Sequence, residues 1–178
     1  MRVISGKYKG KQLEGFNIDG TRPTMDRIKE SLFASIQNYV KDAVVLDLFA
    51  GSGSLGIEAL SNGSKTCYFV DHNKICINVL NKNLKGIDNS IILKKDYLEA
   101  LEYFKNNNIK FDLILLDPPY DLCLNNNIIK KIYEYELLNI NGIIVSEAEK
   151  ENVETDLFEK IKDKKVSSKC IRVFKRVN

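Results

Sequence analysis

The chain is poor in the residue types that most often announce a function. It has one histidine, four cysteines and three prolines in 178 residues. Cys67, Cys76, Cys123 and Cys170 are scattered, with neither the paired spacing of a metal site nor that of a redox motif. They are expected to be reduced thiols, mostly buried, and no metal is expected. No apolar run approaches the length of a membrane span, and the first residues are too polar for a secretory signal, which points to the cytoplasm. Internal repeats, low-complexity tracts and heptad seams are missing too, so a monomer is expected. The formal charge of +3 is too small to name a partner. Where the charges lie says more.

What is present is ordinary for a globular protein: 44% hydrophobic and 29% charged residues, in a length that suits one domain. Three stretches are distinguished: a basic arm over 1–20, a loop and helix over 21–40, and a core over 41–178. In the arm, Arg2, Lys7, Lys9 and Lys11 are interleaved with Val3, Ile4, Tyr8 and Leu13. A short hairpin with a cationic, aromatic-bearing surface suits a phosphate backbone, although a lysine-protected edge strand has the same composition. Thr21-Arg22-Pro23-Thr24-Met25-Asp26-Arg27 is a helix-start signature, and Ile28, Leu32, Ile36 and Tyr39 form the stripe behind it.

From Ala43 apolar strands alternate with helical stripes. The strands run through Ala43–Phe49, Thr66–Val70, Ile91–Leu93, Phe111–Leu116 and Gly142–Glu147, and Val166 with Cys170–Phe174 closes the chain as an antiparallel pair. Such alternation calls for an α/β fold with a doubly wound, mostly parallel sheet. The strand ending at Leu116 leads into Asp117-Pro118-Pro119-Tyr120. Two prolines end it abruptly and fix the main-chain carbonyl between them. A carboxylate, that carbonyl and a ring then stand at the carboxyl end of a sheet, where open α/β sheets bind ligands. Two acceptors fit the two hydrogens of an NH2 group, and the ring can stack on the flat system carrying it. Taken alone, the four residues fit a plain strand and turn equally well.

What precedes them decides the matter. Gly51-x-Gly53-x-x-Gly56 follows a strand and opens a helix, and Asp71 lies where a ribose-binding acid belongs, so a dinucleotide-dependent oxidoreductase has to be weighed. Against it, Asp47 precedes the glycines, where a carboxylate suits an ammonium group better than a pyrophosphate. Asp96 ends a further strand, within reach of an adenine amine. Ammonium, ribose hydroxyls and adenine amine together describe S-adenosylmethionine.

Asp47-Leu48-Phe49-Ala50-Gly51-Ser52-Gly53 with Asp117-Pro118-Pro119-Tyr120 resembles the class I S-adenosylmethionine-dependent amino-methyltransferases. The head, Arg2-Val3-Ile4-Ser5-Gly6-Lys7-Tyr8-Lys9-Gly10 and Arg22 through Phe33, is similar to that of the bacterial RsmD family, the 16S ribosomal RNA guanine-N2 methyltransferases. The resemblance implies a Rossmann-like, seven-stranded sheet with an antiparallel last strand and a short N-terminal hairpin arm. It implies that Asp47, Phe49, Gly51 and Gly53 lie at the cofactor, Asp71 at its ribose, and His72 and Asp96 at its adenine. Arg22 and Thr24 would close over the methionine end. Asp117 and the Pro118 carbonyl would hold the guanine amine with Tyr120 stacked on the base. Arg2, Lys7, Lys9, Lys11 and Pro119 would contact RNA, aided by Lys164, Lys165, Lys169, Arg172, Lys175 and Arg176. The partner implied is 16S rRNA or an assembling small ribosomal subunit. The chain departs from the family at Val166-Ser167-Ser168, in place of a Tyr-Gly turn, and at Asn73, in place of a second acid. A DNA adenine or cytosine amino-methyltransferase shares the proline motif but usually carries a large target-recognition region. A non-catalytic RNA-binding module of the same fold is the alternative of another class.

Overall fold

The computed structural model describes residues 1–16 and 22–178, the side chains of Arg22, Pro23, Thr24 and Tyr120 excepted. After the arm, helix α1 (Arg22–Ile36) leads into β1 (Val44–Asp47), α2 (Ser54–Ser61), β2 (Thr66–Asp71), α3 (Lys74–Asn83) and β3 (Ser90–Lys94). Then come α4 (Tyr97–Asn106), β4 (Phe111–Leu116), α5 (Asn125–Glu134), β5 (Leu138–Ala148), β6 (Glu159–Val166) and β7 (Lys169–Lys175). The seven strands form one sheet in the order β3-β2-β1-β4-β5-β7-β6. Strands β1 to β5 pair in parallel, while β7 runs antiparallel between β5 and β6. The order turns back between β1 and β4, which makes the carboxyl end of that pair the topological switch point.

Side chains alternate across a strand, so each face of the sheet collects every second residue. Val45, Leu113, Leu115, Val145 and Val173 pack with α1, α2 and the arm. Leu46, Ile114, Leu116, Ile144 and Phe174 pack with α4 and α5 on the other face. Both layers are buried, which explains why the central strands read as continuous apolar runs. Phe104 and Phe111 meet edge to face at 4.8 Å, with Tyr68 against both. Gly56 lets α2 lie directly on β2, since a Cβ there would stand 2.8 Å from Cys67 Sγ and overlap the Phe69 ring.

Over its described residues the arm is a loop closed by a single antiparallel bridge, Arg2 to Gln12, and it is bound down at several points. Val3 and Leu13 are buried. Glu58 of α2 is fully buried and accepts the Ile4 and Ser5 amides at 3.0 and 2.9 Å, with Lys29 Nζ 3.3 Å away. The Ser61 carbonyl and hydroxyl take the Lys7 and Tyr8 amides. One expectation needs correction: of the four cysteines only Cys67 is buried, while Cys76 and Cys170 are half-buried and Cys123 is exposed. The closing antiparallel pair is longer than expected, because β6 is an almost wholly charged edge strand with no apolar alternation to betray it. Its two-residue turn puts Ser167 at φ 59°, where a glycine would be at ease.

Candidate active site

The site is assembled from strand ends. The chain leaves β1 through Leu48, Phe49 and Ala50 into a turn whose glycines adopt positive φ, 54° at Gly51 and 82° at Gly53. A side chain at Gly53 would also run into Leu80, so the glycine is demanded by both conformation and space. Two aspartates tie the turn down. Asp47 Oδ2 accepts the Gly56 amide at 3.0 Å, and Asp71 Oδ2 accepts the Gly51 amide at 2.9 Å. The other oxygen of Asp71 accepts the Asn73 amide, and the Asn73 side chain caps α3 through the Ile75 amide. Asn73 therefore serves the helix end.

Two cavities open along these strand ends. One, of about 260 Å³, is lined by Phe16, Asp47, Gly51, Asp117, Glu147 and Lys169 among others. The other, of about 520 Å³, is lined by Phe49, Asp71, His72, Tyr97, Pro118 and Pro119 among others. Phe16, Phe49, Gly51 and Asp117 belong to both, so the cavities are two lobes of one groove that meet at these four residues.

The first lobe is acidic. Asp47 is buried, and desolvation pushes its carboxyl up to about 7 against the help of the Gly56 amide; the carboxylates of Asp117, Asp71 and Glu147 raise it further. Such a group is uncomfortable as an anion until a cation arrives. Register explains the crowding. Leu115 pairs with Asp47 and with Val145, so Asp47, Asp117 and Glu147 all project from the same face of adjoining strands. Lys169, at the start of β7, answers this row. Its ammonium lies 3.0 Å from Glu147 Oε2 and 4.0 Å from Asp117 Oδ2. The second lobe is flatter and more apolar, with the Phe49 and Tyr97 rings 5.5 Å apart and His72 exposed at its rim.

The structure brings together Asp47, Phe49, Gly51, Asp71, His72, Asp117, Pro118 and Pro119, and it places Gly53 in the turn beneath them. Asp96 caps α4 through one oxygen, accepting the Leu98 amide at 3.0 Å, while its neighbours Lys95 and Tyr97 line the groove. The Arg22, Thr24 and Tyr120 side chains lie outside the described residues. Arg2 pairs with Asp26 and Lys7 with Asp88, Lys11 Nζ bonds the Lys85 carbonyl, and Lys9 is exposed. Of the C-terminal cations, Lys169 points into the groove and Arg172 pairs with Asp163, while Lys164 bonds Ser31 Oγ. Sequence reasoning passed over Phe16, Lys29 and Glu147, and named Lys169 only as one of several cations that would contact RNA. Only Glu147 left a signal there, as an acid at a strand end in step with Asp117.

An acidic lobe at a glycine turn, a flat apolar lobe beside a second strand-end acid, and a proline-fixed carboxylate between them suit a cationic sulfonium nucleoside. The switch-point sheet and this groove define the class, a Rossmann-like S-adenosylmethionine-dependent methyltransferase. Among the described residues no cluster of side chains could hold a metal ion, and no helix is long and apolar enough to cross a membrane.

The chain belongs to the RsmD family, whose description is conserved hypothetical protein 95 and which matches residues 1–175. It is 41% identical over 154 residues to YlbH of Bacillus subtilis, covering 85% of this chain and 84% of that protein. It is 37% identical over 155 residues to ribosomal RNA small subunit methyltransferase D of Haemophilus influenzae, covering 85% of this chain and 80% of that one. The solved structure of yhhF from Escherichia coli superposes with a TM-score of 0.85 at 24% identity, over 99% of this chain and 98% of the other.

Proposed function

We propose that the protein transfers a methyl group from S-adenosylmethionine to the exocyclic N2 amine of a guanine in 16S ribosomal RNA, in the cytoplasm and on an assembling small subunit. The observation that carries this is the position of Asp117, at the junction of the two lobes and braced by Pro118 and Pro119. The names of relatives such as ribosomal RNA small subunit methyltransferase D support rRNA as the substrate class. The bound cofactor supplies an electrophilic methyl group on a cationic sulfur. Asp47 faces the lobe that would take its charged end, and Asp71 stands where ribose hydroxyls can donate to it. The Asp117 carboxylate and the Pro118 carbonyl accept the two amine hydrogens, which favours a pyramidal nitrogen with its lone pair directed at the methyl. Asp117 or water takes the proton once the nitrogen is cationic. Because the prolines hold the carbonyl in place, little reorganisation accompanies reaction, and positioning accounts for most of the rate. The base must reach the groove unstacked.

The test is transfer of labelled methyl to small-subunit rRNA from a strain lacking the corresponding enzyme, followed by mapping of the product. Methylation at a guanine N2 is expected. Label on DNA alone, on another atom of the RNA, or nowhere overturns the reading. Asp117→Ala is expected to abolish transfer while calorimetric affinity for S-adenosylhomocysteine stays within about threefold. Lost cofactor affinity with turnover retained would contradict the role given to Asp117.

A further inference from the structure

We infer that Glu147 and Lys169 read the Watson–Crick edge of the target base, so that this groove accepts guanine and turns away adenine and cytosine. The inference rests on the guanine reading above and adds the residues that enforce it. Across the sheet, β4, β5 and β7 are neighbours in that order, and each contributes one charged group to the lining of the acidic lobe. Asp117 follows β4, Glu147 is near the end of β5, and Lys169 opens β7. Read across the sheet, the groups are an acceptor, an acceptor and a donor. Starting from its exocyclic amine, guanine presents a donor at N2, a donor at N1 and an acceptor at O6. The two series are complementary in order as well as in kind.

Adenine and cytosine also carry an amine that Asp117 could hold. Beside that amine, however, each presents a bare ring nitrogen, an acceptor, where guanine has N1–H. Opposed to Glu147, such a nitrogen meets a carboxylate, and neither group can donate. The Glu147 side chain is only 4% exposed, so water offers the mismatched pair little relief. Lys169 is 15% exposed, and its three protons allow one bond to Glu147 and another to an incoming carbonyl oxygen. The ammonium also holds the Glu147 carboxylate in line when no base is present. Enzymes that extrude a base commonly identify it along this edge. Sites built to bond a polar group reject a mismatched analogue by large factors, because their own groups are left unpaired.

The experiment compares guanosine with 2,6-diaminopurine at the mapped position. The analogue keeps the 2-amino group, offers a bare N1 and replaces O6 with an amine. Small-subunit rRNA carrying either base is assembled by splinted ligation, and kcat/KM is measured for the wild type, Glu147→Gln and Lys169→Met. Calorimetry with S-adenosylhomocysteine confirms that each variant is folded. The wild type is expected to prefer guanosine by roughly 100-fold or more. In Glu147→Gln the side-chain amide can donate to the bare N1, so the preference should shrink at least tenfold. In Lys169→Met activity on guanosine should fall while activity on diaminopurine changes little. A preference unchanged in both variants, or an equal loss on both bases, overturns the inference while leaving guanine-N2 methylation standing. A wild type that methylates neither base at its 2-amino group overturns the guanine reading itself.

Discussion

Asp47→Asn separates what the acidic lobe costs the free protein from what it gives the cofactor. The Asp47 carboxyl is held at about 7, against an ordinary 3.8, chiefly because burial removes it from water. The folded chain therefore binds this proton more tightly than the unfolded chain does. Stability from this group falls as pH rises from 3.8 toward about 7 and is level beyond. At about 1.4 kcal/mol per tenfold change, the cost is on the order of 4 kcal/mol at pH 8 and under about 2 kcal/mol at pH 5. Asparagine keeps an oxygen for the Gly56 amide and carries no charge. The stability gained by Asp47→Asn should thus widen by about 2 to 3 kcal/mol between pH 5 and pH 8. Urea unfolding of both proteins at the two pH values reads this directly, and the difference between them cancels the titration of groups that do not interact with Asp47.

The cofactor arm of the same experiment has the opposite sign. A cationic ligand favours ionised Asp47, so S-adenosylmethionine affinity in the wild type should rise with pH through about 7, with proton release on binding at pH 6. In Asp47→Asn the affinity should fall and its pH dependence flatten. A stability difference that is constant between pH 5 and 8, or a variant that is less stable at pH 8, refutes the reasoning. So does a variant whose cofactor affinity keeps the slope of the wild type.

Three further outcomes follow from other parts of the molecule. Glu58→Ala leaves the Lys29 ammonium buried without its carboxylate, with the Arg2 carbonyl and Ser54 hydroxyl as remaining acceptors, and frees two arm amides, and should cost on the order of 3 to 5 kcal/mol in urea unfolding; a loss below about 1 kcal/mol would mean that the arm is not anchored there. Gly56→Ala pushes a methyl group into Cys67 and the Phe69 ring and should cost about 1 to 3 kcal/mol by the same measurement. Neutralising Lys7 and Lys9 should weaken RNA binding and reduce its logarithmic salt slope by about 0.7 to 0.9 for each phosphate that is no longer neutralised. An unchanged slope in that titration would exclude the arm from the RNA interface.

The parts of the fold that were legible in the sequence are those where local pattern and burial coincide. Strands β1, β2, β4 and β5 are buried on both faces, so their apolar runs stand out, and the acids that end them follow by position. The glycine turn was readable because its conformation admits little else. Other parts depend on pairing that no local pattern records. Strand β6 exists because β7 offers it an edge, and its charges read as loop. Lys169 reaches the groove only because β7 runs antiparallel to β5, which brings its first residue to the end where the parallel strands finish. Glu58 and Lys29 lie on helices, where a charge suggests solvent, yet each finds its partner in a distant segment. Asp96 shows a second use of a strand-end acid: one of its oxygens caps the helix that follows, and only the hydrogen bond to the Leu98 amide reveals it.

The same topology accounts for how two ligands share one groove. On the β2 side of the switch point the groove carries Asp71, His72 and the Phe49–Tyr97 pair, a flat lobe suited to a nucleoside. On the β5 and β7 side it carries Glu147 and Lys169, charged groups in fixed order and suited to a polar edge. Strand β4 lies between these halves, and Asp117 is the residue that follows it. A group that must hold the acceptor amine against the donor's methyl has to touch both halves. The carboxyl end of β4 is where the strand order allows it. Two prolines immediately after that position therefore have a mechanical purpose beyond ending a strand, since any drift of this loop would move Asp117 relative to both lobes at once.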